Sequence, residues 1–158
     1  MENEIKLSKS NELRLKIVTD DGKDTNECLI FDLEDIELPL RYQEMIERDK
    51  KNKDWLKKEF VIIEKRQDVK GKKLLSKNEE DKIKAMNKFF NEEIEIYNMF
   101  LGENGVQKLL NGRKFGWTTL EEIDEIIDKQ ITPYFSKMAE KLEEKIINKY
   151  KIVDKEVI

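Results

Sequence analysis

The feature that most constrains the fold is a long helical repeat in the middle of the chain. Apolar residues recur there at steps of three and four positions: Ile83, Met86, Phe90, Ile94, Tyr97 and Leu101. This spacing places them on one face of an α-helix. Phe89, Ile96 and Phe100 widen that face, and Ser76 with Glu79 fits a capping box at its start. We therefore predict a helix from about Asn78 to Leu101, at the centre of the fold.

The first part of the chain predicts a β-hairpin. Leu13, Leu15 and Ile17 alternate with Arg14, Lys16 and Val18, and Cys28–Phe31 is a second β-prone run. Between them, Asp21-Gly22 is a typical tight-turn dipeptide. The hairpin should span about residues 12–31 and must pack on other elements, because a lone two-stranded ribbon is only marginally stable in water.

The rest of the chain, about residues 35–150, predicts helices. We expect a break near Asn52, where a run of charged residues interrupts the apolar spacing, and a kink or restart at Pro133. The fold class is thus α+β, mainly α, with an N-terminal β-hairpin packed on a four- to five-helix bundle. Residues 1–158 are expected to form a single domain whose last residues, 151–158, fray.

Composition argues against much of familiar catalysis. The chain has no histidine and one cysteine, Cys28, which excludes Cys–His nucleophilic chemistry and the usual zinc sites. We expect no enzyme activity, no metal and no cofactor. No apolar run is long enough to span a bilayer, so we expect a cytoplasmic protein without membrane contact.

Charge is unevenly distributed, with 42% charged residues overall and a Lys-rich stretch over residues 50–77. Acids are interspersed through this stretch, and the whole chain carries a net charge of -4. A solvated helix surface is the favoured interpretation, binding of an acidic protein surface is the alternative, and nucleic-acid contact is disfavoured.

Aromatic residues next to cations in a Gly-rich loop, and further aromatics beyond it, are the best candidates for protein contacts. These candidates are Arg113, Lys114, Phe115, Trp117, Tyr134 and Phe135. Burial of Phe115 and Trp117 as anchors of the fold remains open alongside contact with a partner.

Three segments in this order resemble the tail assembly chaperones of phages and prophages of low-GC bacteria. The first is the Phe-Asp-Leu end of the hairpin followed by Pro and Arg-Tyr, over Phe31 to Tyr42. The second is Phe-Leu-Gly-Glu-Asn-Gly-Val-Gln-Lys-Leu, over Phe100 to Leu109, and the third is Thr-Pro-Tyr-Phe, over Thr132 to Phe135.

The resemblance implies a small helical protein that binds the tape-measure protein in the bacterial host cell while the tail tube assembles around it. It also implies that the protein is not an enzyme and needs no cofactor. The alternative is a phage-encoded inhibitor of a host defence effector, of the anti-CRISPR type, which acts by direct protein binding. A homo-oligomer is left open.

Overall fold

The computed structural model describes residues 2–8 and 11–150. The chain divides into two compact units, Met1–Phe115 and Gly116–Ile158. A two-stranded hairpin and a majority of helical residues confirm the α+β, mainly α class. One domain over residues 1–158 stays a prediction, and the expected fraying of residues 151–158 lies outside the described residues.

The first unit opens with the predicted hairpin, formed by β1 (Glu12–Val18) and β2 (Asp24–Asp32). The strands are antiparallel, and the register pairs Leu13 with Phe31. The turn closes through a hydrogen bond of 2.9 Å from the Gly22 N–H to the Thr19 carbonyl oxygen, and Gly22 has a φ of 82°. Because this φ favours glycine, the Asp-Gly dipeptide stops β1 at the predicted place.

The hairpin packs on helices through one face of β2, where Leu29 and Phe31 are buried. The Phe31 ring lies 5.4 Å from that of Phe100 on helix α2 (Lys77–Leu101), centroid to centroid. Lys108 Nζ, on helix α3 (Gly105–Leu110), donates a hydrogen bond of 3.3 Å to the Cys28 carbonyl oxygen. The expectation that the ribbon needs helices to cover it is therefore confirmed.

Helix α1 (Leu38–Glu64) runs antiparallel to α2, and the two form the most extensive helix–helix contact of this unit. The first half of α1 meets the second half of α2, and Glu64 at its end pairs with Lys82 near the beginning of α2. Pro39 lies in the first turn of α1, where its missing N–H removes no helical hydrogen bond.

The predicted break near Asn52 is wrong, because α1 continues through it. Met45, Asp49, Asn52 and Leu56 follow each other at steps of four, three and four, so the helical face that meets α2 is uninterrupted and merely changes from apolar to polar. The charged residues around them stay on the solvent side, and Lys53 pairs with Asp49 one turn earlier at 2.9 Å.

Helix α2 begins as predicted, with Ser76 Oγ accepting a hydrogen bond of 3.1 Å from the Glu79 N–H. Its buried face differs from the predicted stripe by about one position. Ile83 is 46% exposed, whereas the buried residues of α2 are Asn78, Ala85, Phe89, Glu93, Ile96, Tyr97, Phe100 and Leu101. Gly102 ends the helix with a φ of 95°.

The second unit consists of α4 (Trp117–Ile126), a π-helical turn (Ile127–Ile131) and α5 (Thr132–Tyr150). The Thr119 hydroxyl accepts a hydrogen bond of 2.8 Å from the Gly116 N–H, which caps the start of α4. The π-helical turn lies directly before Thr132-Pro133, where a restart was predicted. No helix of the described residues is long and apolar enough to cross a membrane.

Candidate functional site

Three of the predicted contact residues, Arg113, Lys114 and Phe115, lie in the loop after α3 in the first unit. The Arg113 guanidinium makes hydrogen bonds within the first unit. Nε donates to the Leu110 carbonyl oxygen at 2.8 Å, and Nη2 donates to the Leu109 carbonyl oxygen at 3.0 Å. These carbonyls belong to the last turn of α3, so Arg113 satisfies acceptors that a helix end leaves without partners.

Phe115 is half-buried and Lys114 is exposed. The Phe115 ring lies 5.1 Å from the ring of Phe90 on α2, at an interplanar angle of 59°. Aromatic pairs at this separation stabilise a contact beyond the area they bury. Phe115 therefore anchors the loop to α2, in line with the interpretation that was left open for it.

The other three contact candidates, Trp117, Tyr134 and Phe135, lie in the second unit. Trp117 is 48% exposed at the first residue of α4, and Tyr134 is 49% exposed in the first turn of α5. Phe135, one position further, is 4% exposed and therefore belongs to the packed interior. Of these three, Trp117 and Tyr134 present aromatic surface that a partner could reach.

A cluster of polar side chains that the sequence analysis did not single out lies between α1 and α2. At its centre is Glu93, whose side chain is fully enclosed at 0% exposure. Asn52 Nδ2 donates one hydrogen bond of 3.2 Å to Glu93 Oε1 and another of 3.1 Å to the Phe89 carbonyl oxygen. One amide group thus links a side chain and the backbone of α2 to α1.

Asp49 is the second acid of this cluster. The Tyr97 hydroxyl donates to Asp49 Oδ1 at 3.3 Å, and Lys53 Nζ donates to Oδ2 at 2.9 Å. Asp49 is also close enough to Glu93, across the helix pair, to raise its pKa. We call these five residues (Asp49, Asn52, Lys53, Glu93 and Tyr97) the buried acid cluster.

The pKa of Glu93 is raised to about 9, chiefly by burial and also by the neighbouring Asp49, against smaller lowering effects of Asn52 and Lys53. Glu93 is therefore neutral at pH 7. Among the described residues, Glu93 Oε2 is the buried side-chain oxygen that has no hydrogen-bond partner. Protonation of Glu93 removes the negative charge that this enclosed site disfavours.

The buried acid cluster links α1 to α2, and its central carboxyl group has no contact with solvent. Acid–base catalysis needs the proton within hydrogen-bond reach of a reacting atom, and the fully enclosed Glu93 offers no such access in this conformation. Buried polar networks of this kind specify which residues of two helices face each other. Among the described residues, no group of three or more Asp, Glu, Cys or His side chains could hold a metal ion.

The sequence does contain a signal for the cluster. Glu93 occupies the stripe position four residues after Phe89 and three before Ile96, where an apolar residue is the rule. Asp49 and Asn52 likewise occupy stripe positions of α1. When two neighbouring helices both have polar residues at apolar positions, this pattern indicates that those polar residues contact each other.

Comparison with known proteins gives no match, whether to a family model, to a curated protein or to a solved structure.

Proposed function

We propose that the protein is a non-enzymatic phage tail assembly chaperone that binds the tape-measure protein during assembly of the tail tube. The resemblance of the segments Phe31–Tyr42, Phe100–Leu109 and Thr132–Phe135 to that family supports the proposal. A protein of this kind works through reversible contacts with a long helical client, and it requires surface aromatics and cations rather than a catalytic group.

The exposure of Trp117 and Tyr134 is the observation that carries this proposal. Each of these large aromatic side chains keeps about half of its surface in contact with solvent, at 48% and 49%. Tyr and Trp dominate the energetics of protein interfaces, because a rigid ring buries a large area at a small entropic cost. We therefore assign client contact to these two residues, with the exposed Lys114 as a cationic contact of the first unit.

The test is co-expression of the tagged protein with the tape-measure protein of the same phage or prophage, followed by affinity purification. We expect the two proteins to co-purify, and we expect Trp117→Ala together with Tyr134→Ala to reduce recovery of the client at least about tenfold. Thr118→Ala is the matched control, because Thr118 is an exposed neighbour of Trp117 that the proposal does not use.

Failure to co-purify with a soluble tape-measure protein would overturn the proposal. Purification from host lysate after prophage induction separates the alternative: specific recovery of a host nuclease or a guide-bound effector would identify an inhibitor instead. Full client recovery with the Trp117 and Tyr134 variant would remove the contact assignment while leaving the chaperone function in place.

A further inference from the structure

Helix α5 carries an apolar stripe that the second unit leaves partly uncovered. Met138, Leu142 and Ile146 follow each other at steps of four residues and so lie on one face of the helix. Phe135, at the beginning of this stripe, is buried, but Met138 and Leu142 are only half-buried and Ile146 is 41% exposed. The stripe therefore emerges from the packed interior as the helix proceeds.

Within the second unit, α5 directly continues the π-helical turn, and the contacts between the two are those of consecutive helical turns. A helix of this length gains most of its stability from packing an apolar face, since propensity alone leaves an isolated helix marginal in water. An apolar stripe that continues past its packing partners is therefore suited to a further helix.

The two flanks of the stripe differ in charge. A lysine directly precedes each stripe residue, at Lys137, Lys141 and Lys145. Consecutive helical residues are separated by about 100° around the axis, so these lysines share one flank. The residues that directly follow the stripe residues form the other flank, and these are Ala139, Glu143 and Ile147.

We propose that α5 pairs in parallel with α5 of a second copy of this chain, through Met138, Leu142 and Ile146. In a parallel two-fold pair, each copy presents its lysine flank to the opposite flank of the other. Glu143 of one copy then lies at the level between Lys141 and Lys145 of the other, twice per dimer. An antiparallel pair would instead align lysine flank with lysine flank, and like charges at such positions are destabilising.

The two flanks of α5 carry complementary charges, and this favours a second copy of the chain as the partner of the stripe. The flank that must meet three lysines holds one acid, at Glu143, and two uncharged residues, Ala139 and Ile147. Both copies use the same surface, so the assembly is complete with two chains and cannot grow into a filament.

The test is sedimentation equilibrium of the full chain at low salt over a concentration series. We expect a reversible equilibrium between the mass of one chain and twice that mass. Glu143→Lys should weaken dimerisation at least about tenfold, because it places like charges on both flanks. Exchanging the charges, with Glu143→Lys, Lys141→Glu and Lys145→Glu combined, should restore dimerisation.

Glu144→Lys is the matched control. It makes the same change of charge at the next residue, which lies on the far side of the helix from Leu142. We expect it to leave the dimer intact. Ile146→Ser, a change at an exposed position, should also dissociate the dimer without loss of helical circular dichroism.

A single-chain mass at every concentration would overturn the proposal. So would a dimer that tolerates both Glu143→Lys and Ile146→Ser, since it would form through another surface. A further contrary result is that Glu143→Lys and Glu144→Lys weaken dimerisation equally and the charge exchange fails to restore it. The loss would then follow from net charge alone, which would contradict the parallel pairing.

Discussion

Asn52 Nδ2 lies 3.2 Å from Glu93 Oε1 and 3.1 Å from the carbonyl oxygen of Phe89. The amide of one α1 residue thereby satisfies a buried acid and a backbone acceptor of the opposite helix. Because Glu93 is fully enclosed, water cannot replace these hydrogen bonds without opening the helix pair. Polar contacts as well as apolar contacts therefore hold α1 and α2 together.

Asn52→Ala should destabilise the protein by about 1–3 kcal/mol, because it leaves a buried acid oxygen without its donor. Urea denaturation followed by circular dichroism measures the change. Asn87→Ala is the control, since Asn87 is an exposed residue of α2 with the same side chain. Equal effects of the two substitutions would show that the buried hydrogen bonds contribute nothing measurable.

Glu93→Gln should remove a pH dependence of stability. The pKa of Glu93 is raised from 4.5 to about 9 on folding. Between these values the folded state retains a proton that the unfolded state has released, so rising pH favours unfolding. The stability that protonated Glu93 contributes is fully present below the unfolded pKa and is lost as pH rises through the folded pKa.

The free energy of unfolding of the wild-type protein should accordingly fall relative to that of the Gln variant between pH 5 and pH 9. The slope of this difference approaches at most about 1.4 kcal/mol per pH unit. Urea denaturation at a series of pH values measures it, with exposed Glu95→Gln as the control. Parallel pH profiles of wild type and Glu93→Gln would show that Glu93 titrates normally.

Gly105→Ala should destabilise the first unit, because a Cβ atom at this position would lie 2.5 Å from Leu101 Cβ. Relief of such an overlap requires backbone movement at the junction of α2 and α3 and typically costs about 1–3 kcal/mol. Gly71→Ala is the matched control, since a Cβ there meets nothing within 4 Å. Thermal melts that show no difference between the two variants would contradict the close approach.

Phe135→Ala and Trp117→Ala should differ in their effect on stability. Phe135 is 4% exposed, so its truncation leaves a cavity and should cost about 3–5 kcal/mol. Trp117 is 48% exposed, and its truncation should cost less than half as much. Chemical denaturation of both variants tests the contrast, and a larger loss for Trp117→Ala would assign Trp117 to the interior.

Local patterns were enough to predict most of the elements. The hairpin turn at Asp21-Gly22 and the start of α2 at Ser76 depend on residues close together in sequence, and both are confirmed. The second strand begins earlier than predicted, at Asp24. Its first residues are polar, and pairing with β1 rather than local propensity makes them a strand.

The buried acid cluster could not be predicted by the same means. Asn52 and Glu93 are 41 residues apart, and each taken alone is a typical surface residue of a charged helix. The hydrogen bond between them forms only when α1 and α2 pack together. In the sequence of either helix alone, these polar residues therefore only interrupt the apolar spacing. The exposure of Trp117 and the burial of Phe135 likewise depend on neighbours that local spacing does not specify.

The π-helical turn between α4 and α5 has a consequence for how this unit tolerates changes of length. The Thr132 N–H bonds to the Ile127 carbonyl oxygen five residues back, one residue more than an α-helical turn holds. Deleting one residue of Ile127–Ile131 would restore the ordinary turn and rotate all of α5 by about 100° relative to α4. A single inserted residue thus sets the direction in which Met138, Leu142 and Ile146, and the lysines that precede them, face around the helix axis.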